Sequence, residues 1–258
     1  TSVRGMDVGV LILPEHRWAD AEAVWRRAEE IGFAHVWTYD HLAWRTLRDD
    51  PWHAAVPVLA AAAMVTSRIR LGTLVATPNF RHPVTFAREL VTLDDLSDGR
   101  LTVGIGAGGP GWDASMLGQP TWSAGERAER FAEFVALLDR LLREPNTSYD
   151  GRYFRAVEAR TAPGCVQRPR VPLAVAATGP RGMRVAATHG EPWVTNGDRS
   201  YTGPPLGPKK GAAVFRRQNE MVDEVCRGIG RDPATLRRLV LTGPRLDGGL
   251  ASPDAFAE

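Results

Sequence analysis

Only two cysteines occur in 258 residues, and Cys165 and Cys226 stand far apart with no second ligand beside either. That excludes a disulfide framework and a cysteine zinc site, and it suits a reducing cytoplasm. Long hydrophobic runs are missing as well. The longest, Ala54 to Val65, is interrupted by Pro57 and is too short to span a bilayer, and Thr1 to Asp7 has no apolar core of signal-peptide length. Neither export nor membrane anchoring is expected, and the predicted location is cytoplasmic. Charge of one sign is also lacking. Thirty-two Lys plus Arg against thirty Asp plus Glu leave a scattered net +2, which excludes a field able to capture nucleic acid or a membrane surface and leaves a small molecule as the expected partner. His16, His35, His53, His82 and His189 show no spacing that gathers two ligands on one face, so no metal is predicted. There is no Gly-x-Ser-x-Gly elbow and no Gly-Lys-Ser/Thr phosphate loop, which removes the usual footing for a hydrolase or a nucleoside triphosphatase.

What is present is alternation. Apolar runs predict strands at Val8–Leu13, His35–Thr38, Ile69–Ala76, Leu101–Gly106, Leu173–Ala177, Trp193–Thr195 and Leu239–Thr242. Between them, helical spacing predicts helices at Asp20–Ile31, His53–Val65, Val84–Leu96, Ala124–Arg143, Arg181–Thr188 and Ala212–Arg227. Strands alternating with crossover helices predict a parallel α/β architecture in a single domain over residues 1–258. Residues 146–170 read as an inserted irregular stretch with short strands and a turn at Asp150-Gly151, and residues 196–210 as either a mobile lid or a disordered loop. Seven strands are visible, and Ser252-Pro253-Asp254 reads as a helix start. A (β/α)8 barrel is therefore expected to be one strand short, with its C-terminus truncated.

Several positions carry chemistry on local grounds. Asp40 and His41 follow the second strand directly, at the barrel end where active sites are built. There the imidazole can exchange a proton and the carboxylate can orient it; the alternative is a capping Asp and a packing His. Trp44 either stacks over a substrate or plugs the barrel mouth, which Trp112 and Phe80 would also line. Gly106, Ala107 and Gly108 leave an apolar strand as a run of small residues that lets a flat ring or phosphate approach the main chain, or else as a flexible loop. Because Gly104-Ile105-Gly106 stands inside the strand and no ribose-binding acid follows, a dinucleotide fingerprint is rejected. Thr178-Gly179-Pro180-Arg181 starts a helix after a buried strand, a ready anion site or an ordinary helix start.

Three segments together resemble the luciferase-like flavin-dependent oxidoreductases over nearly the whole chain. They are Ala28–Phe33 with Val36–His41; Thr66–Thr73 through Arg81-His82-Pro83 and Leu93–Arg100 to Gly104–Gly108; and Gln167-Arg168-Pro169 with Val175–Arg181. The resemblance implies a luciferase-like TIM barrel in which Val75, Ala76 and Thr77 bear on the centre of a tricyclic ring and the Thr178–Arg181 turn holds its phosphate. It implies one of two cofactors: coenzyme F420, an 8-hydroxy-5-deazaflavin that passes a hydride, or FMN, whose reduced form activates dioxygen. Asp40-His41 with Trp44, and the small-residue run after the fourth strand, look more like the F420 branch. One departure stands: where several such enzymes place a carboxylate just after the fourth strand, this chain has Gly109, and Asp113 is the first acid. The expected mechanism is hydride exchange with a small, partly apolar organic substrate, His41 handling the proton and Asp40 orienting it. The alternatives are an FMN monooxygenase fed by a separate reductase and a non-catalytic flavin-binding barrel. A homodimer is also implied, with the apolar helix at residues 54–65 either its surface or ordinary barrel wall.

Overall fold

The structure, a computed structural model, describes residues 2–3, 6–44, 47–110, 112–197 and 208–241. The chain divides into two compact units, Thr1–Pro172 and Leu173–Glu258.

In the first unit a short antiparallel pair, β1 (Ser2–Val3) and β2 (Met6–Asp7), precedes four parallel strands: β3 (Gly9–Leu11), β4 (His35–Thr38), β5 (Arg70–Ala76) and β6 (Leu101–Gly106). They pair in chain order. The crossovers are helices α1 (Trp18–Ile31), α2 (Ala55–Val65) and α3 (Pro83–Leu96). After β6 come the short α4 (Trp112–Met116) and the long α5 (Ala124–Arg143), followed by the antiparallel hairpin β7 (Asn146–Asp150) and β8 (Arg155–Arg160). All six residues of β6 are buried, as a strand covered on both faces requires. At Gly104 a side chain would run into the Thr73 carbonyl, so β5 and β6 meet there backbone to backbone. Helix α5 buries Phe131, Phe134, Val135, Leu138 and Leu142 along one stripe and starts with a capping box between Ser123 and Glu126.

Polar side chains at the starts of these strands stitch the unit together. Glu29, at the end of α1, accepts hydrogen bonds from the backbone N–H groups of Ser67, Arg68 and Ile69 at 2.9, 2.6 and 2.9 Å. Burial acts to raise its pKa, but these N–H donors overcome that and hold it at about 2. Buried Asp94 accepts both the backbone N–H and the side-chain amide of Gln167, at 3.0 and 2.8 Å, and Arg70 donates to the Gln167 carbonyl at 3.0 Å. Arg100 donates to the carbonyls of Ala63, Thr66 and Ile69, fastening the end of α2. Each of these side chains lies in a segment that carries the family resemblance.

The second unit holds three parallel strands, β9 (Leu173–Ala176), β10 (Pro192–Thr195) and β11 (Arg237–Val240), again paired in chain order. Helix α6 (Pro180–His189) joins the first two and α7 (Pro208–Gly228) leads towards the third. Trp193, fully buried, stacks on Phe215 with ring centroids 6.3 Å apart.

Seven parallel strands are thus present among the described residues, against eight in a complete barrel. Most elements fall where the hydrophobic pattern places them, and the differences have local causes. Helix α2 begins at Ala55 rather than His53, because the His53 N–H is drawn to the Pro14 carbonyl at 2.7 Å. The last strand begins two residues earlier than its apolar run, in register with Pro192 of β10. Pro208 opens α7, so the end of the predicted 196–210 loop is helical; residues 198–207 and the predicted helix start at Ser252 lie outside the described residues. The predicted insertion at 146–170 contains the β7–β8 hairpin, whose turn is held by the Glu133 carboxylate accepting from Tyr153 and Phe154 at 2.9 and 2.7 Å. Helix α4, five residues long, is too short to declare itself by periodicity.

Candidate functional site

In the first unit the ends of β4, β5 and β6 and the segments that follow them carry the sequence-predicted site residues. His41 leaves β4 with its backbone carbonyl held by the Trp52 indole N–H at 2.8 Å. Its Nδ1 lies 2.7 Å from Oδ2 of Asp113, and the other carboxylate oxygen accepts the Leu42 N–H at 2.7 Å. Asp113 is buried to 3% exposure while His41 keeps 19% of its side chain exposed. A carboxylate only accepts, so Nδ1 carries the proton and Nε2 is the basic nitrogen of the neutral ring. Nε2 makes no hydrogen bond among the described residues. The ring of Trp44 lies 4.7 Å from His41 and 4.8 Å from Tyr39, centroid to centroid, so Trp44 packs on the imidazole as part of an aromatic cluster.

Asp40 does not orient His41. Its carboxylate is 1% exposed and is gripped by Arg81, with Nε donating to Oδ2 at 3.0 Å and Nη2 to Oδ1 at 2.7 Å. Arg81 also reaches Glu89 at 2.7 Å and lies 4.9 Å from the ring centroids of both Phe80 and Phe86. Burial opposes the guanidinium charge, but Asp40 and then Glu89 hold Arg81 more firmly protonated than an ordinary arginine. The adjacency of Asp40 and His41 in sequence suggested a pair. Beyond the end of β4 each finds its own partner, Asp40 from the segment after β5 and His41 from α4.

Beside this dyad the second group of predicted residues comes together. Ala76 and Thr77 are buried at the end of β5, the Leu74–Val75 peptide bond is cis, and the β5–β6 register shifts between Thr73 and Ala76. Gly106 ends β6; Gly108 follows with φ +69, and a side chain there would strike Thr77 Oγ1 and the Asn79 amide. Asn79 donates to the Gly109 carbonyl at 3.1 Å, tying the two loops. Thr38, fully buried at the last position of β4 and register partner of Thr73, has a hydroxyl with no hydrogen-bond partner among the described residues. Sequence reasoning missed Thr38, Asn79 and Arg81, and it left Asp113 without a role. The Arg81-His82-Pro83 triplet was the one available signal, and it does not name Asp40 as its partner. The side chain of Trp112 lies outside the described residues.

In the second unit Thr178, Gly179, Pro180 and Arg181 form the start of α6, with Gly179 as an extended N-cap, Pro180 in the first turn and no side chain capping the helix. Arg181 is exposed and no acidic residue occupies the first turn. The positive helix end, with no acidic residue in its first turn, suits an anion.

The luciferase-like monooxygenase family model matches residues 6–238. The chain belongs to that family. It is 38% identical over 177 residues to an F420-dependent glucose-6-phosphate dehydrogenase of Beutenbergia cavernae, covering 65% of this chain and 49% of the relative. It is 30% identical over 212 residues to an F420-dependent hydroxymycolic acid dehydrogenase of Mycobacterium tuberculosis, covering 81% of this chain and 54% of the relative. This luciferase-like chain spans about half the length of these curated relatives. Among solved structures it resembles an F420-dependent secondary alcohol dehydrogenase in complex with an F420–acetone adduct, with a TM-score of 0.75 and 24% identity over 91% of this chain and 68% of the other. That likeness speaks for the fold. Among the described residues no helix is long and apolar enough to cross a membrane.

Proposed function

We propose that this luciferase-like chain is an oxidoreductase that uses coenzyme F420 to exchange a hydride with a small, partly apolar organic substrate. The observation that carries the reading is the His41–Asp113 pair, an imidazole fixed at Nδ1 by a buried carboxylate so that Nε2 is left to move a proton. The F420-dependent relatives favour this cofactor over FMN. The residues present fit a planar, polar-edged ring. Thr38 offers a buried hydroxyl without a partner, and the loops after β5 and β6 bring main chain together at Thr77 and Gly108 with no room for a further side chain.

Thr38, Val75, Ala76, Thr77, Gly106, Ala107 and Gly108 are the residues assigned to the ring. In the second unit Thr178, Gly179, Pro180 and Arg181 are assigned to a phosphate. The deazaflavin, when bound, supplies the hydride chemistry at a substrate carbon. His41 Nε2 takes a proton from the substrate heteroatom in the oxidising direction and returns it in the reducing one. Asp113 holds the tautomer. Trp44 and Tyr39 give that proton exchange an apolar wall, and Asp40 with Arg81 holds the two loops in place. A homodimer is assigned to the α1–α2 face, where Val24, Ile31 and Met64 are exposed.

Equilibrium binding of purified protein to oxidised F420 and, separately, to FMN, followed by cofactor fluorescence and competition, tests the assignment. Tight F420 binding with weak FMN binding supports it. Preference for FMN, with substrate-coupled oxygen consumption, replaces it by a monooxygenase, and binding of neither removes the cofactor reading.

A further inference from the structure

A cleft of about 340 Å³ opens between α1 and α2, beyond the end of β3, and neither His41 nor Asp113 lines it. Its volume lies at the lower end of the range that small-molecule pockets occupy, about 300–1,000 Å³. Pro14, Ala21 and Trp25 are the buried part of its lining, while Trp18 of α1 and Val58 and Ala61 of α2 are half-buried. Helix α2 is apolar at all 11 positions, yet only Ala55, Leu59, Ala62 and Ala63 are buried. A helix that is apolar all round belongs against further apolar surface, and the side of α2 left without it includes the cleft wall.

The polar part of the lining is one-sided. Its side chains able to carry charge are His16, Arg17 and His53, all exposed, and no carboxylate is among them. His16 lies 3.7 Å from Glu15, whereas the side chains of Arg17 and His53 make no ion pair or hydrogen bond among the described residues. Asp20, in the first turn of α1, does not line the cleft. Arg17 is the N-cap of α1 and no side chain caps that helix, so a cation and the positive helix end share one rim. The His53 N–H donates to the Pro14 carbonyl at 2.7 Å, which ties the start of α2 to the segment after β3 and fixes the opposite side.

We propose that this cleft binds a small carboxylate with an apolar, ring-sized body, the body lying between α1 and α2 and the carboxylate at Arg17. A second copy of the chain fits it less well. A two-fold contact centred on the cleft brings Arg17 against Arg17 with no acid in the lining between them. Val24, Ile31 and Met64, the exposed residues assigned to a homodimer, are not part of the lining. The inference goes beyond the oxidoreductase reading and does not need the cofactor.

Isothermal titration of the whole protein without cofactor tests it, with phenylacetate as the probe and its uncharged amide, phenylacetamide, and inorganic phosphate beside it. Phenylacetate is expected to bind with a Kd of about 1 mM or tighter. The amide is expected to bind about fivefold more weakly, and phosphate, which has no apolar body, to give no measurable binding. Arg17→Met changes an exposed side chain that caps nothing, and is expected to weaken phenylacetate about fivefold while leaving the amide as it is. Ala61→Trp fills the cleft and is expected to abolish binding of both; Val58→Phe takes its place if circular dichroism shows that Ala61→Trp does not fold. No phenylacetate binding, equal affinity for acid and amide, or affinity unchanged in a folded cleft-filling variant would overturn the site. A dimer in sedimentation that the filling variant splits would also overturn it, by giving the cleft to a second copy. Binding of F420 is measured separately, so failure of either assignment leaves the other standing.

Discussion

Replacing Arg81 by methionine tests whether the buried pair with Asp40 holds the site loops. Methionine keeps an unbranched apolar stem against Phe80 and Phe86 and removes the charge. Asp40, 1% exposed, then loses two charge-assisted hydrogen bonds of 3.0 and 2.7 Å. Breaking a buried pair from one side costs about 3–5 kcal/mol, because the remaining charge is stranded. The unit that holds the pair has 172 residues, so at about 2–4 °C per kcal/mol its thermal midpoint is expected to fall by roughly 6–20 °C. The double variant Asp40→Leu with Arg81→Met removes both charges and is expected to regain most of that loss, leaving it within about 1–2 kcal/mol of wild type. Denaturant and thermal unfolding followed by tryptophan fluorescence measure wild type, the single variants Arg81→Met and Asp40→Leu, and the double variant. If Arg81→Met shifts stability by less than about 1 kcal/mol, or if the two substitutions simply add, the pair is not what holds these loops.

Further outcomes are expected elsewhere in the molecule. Glu29→Gln should cost on the order of 1–2 kcal/mol at pH 7 after solvent screening is allowed for. Because the native pKa is depressed to about 2 from 4.5, the contribution is present above about pH 4.5 and is lost as pH falls towards 2. The gap between wild type and Glu29→Gln in urea midpoints should therefore close over that window, and a gap independent of pH would contradict it. Gly104→Ala forces a methyl group against the Thr73 carbonyl and is expected to leave little folded protein, as soluble yield and circular dichroism would show; normal melting would mean that β5 and β6 part easily. Asp113→Asn should lower kcat roughly 10²-fold or more while leaving F420 binding near its wild-type value, with partial rescue in Asp113→Glu. Unchanged turnover would remove the dyad from the mechanism.

The segments that carry the family resemblance do two different jobs, and only folding separates them. Glu29, Arg70, Asp94, Arg100 and Gln167 lie in those segments, and each binds backbone or a neighbour within that set in a way that closes the scaffold. His41, Gly106 and Gly108 lie in the same segments and reach the site. Spacing alone treats a scaffold clamp and a site residue alike, because both are polar or glycine residues at element ends.

Strands and helices were legible because their causes are local. The runs at His35–Thr38 and Leu101–Gly106, and the amphipathic stripe of Ala124–Arg143 behind its capping box, are written in neighbouring residues, and β4, β6 and α5 have those bounds. Partnership was not legible. Asp40 stands next to His41 yet binds Arg81, 41 residues on, while His41 takes Asp113, 72 residues on, from a helix of five residues that no periodicity announces. Sequence by itself determined the alternating architecture, the family and the positions where chemistry gathers at strand ends. The tertiary structure decided which carboxylate serves which base, since contacts between segments 41 and 72 residues apart exist only once the sheet has brought the strand ends together.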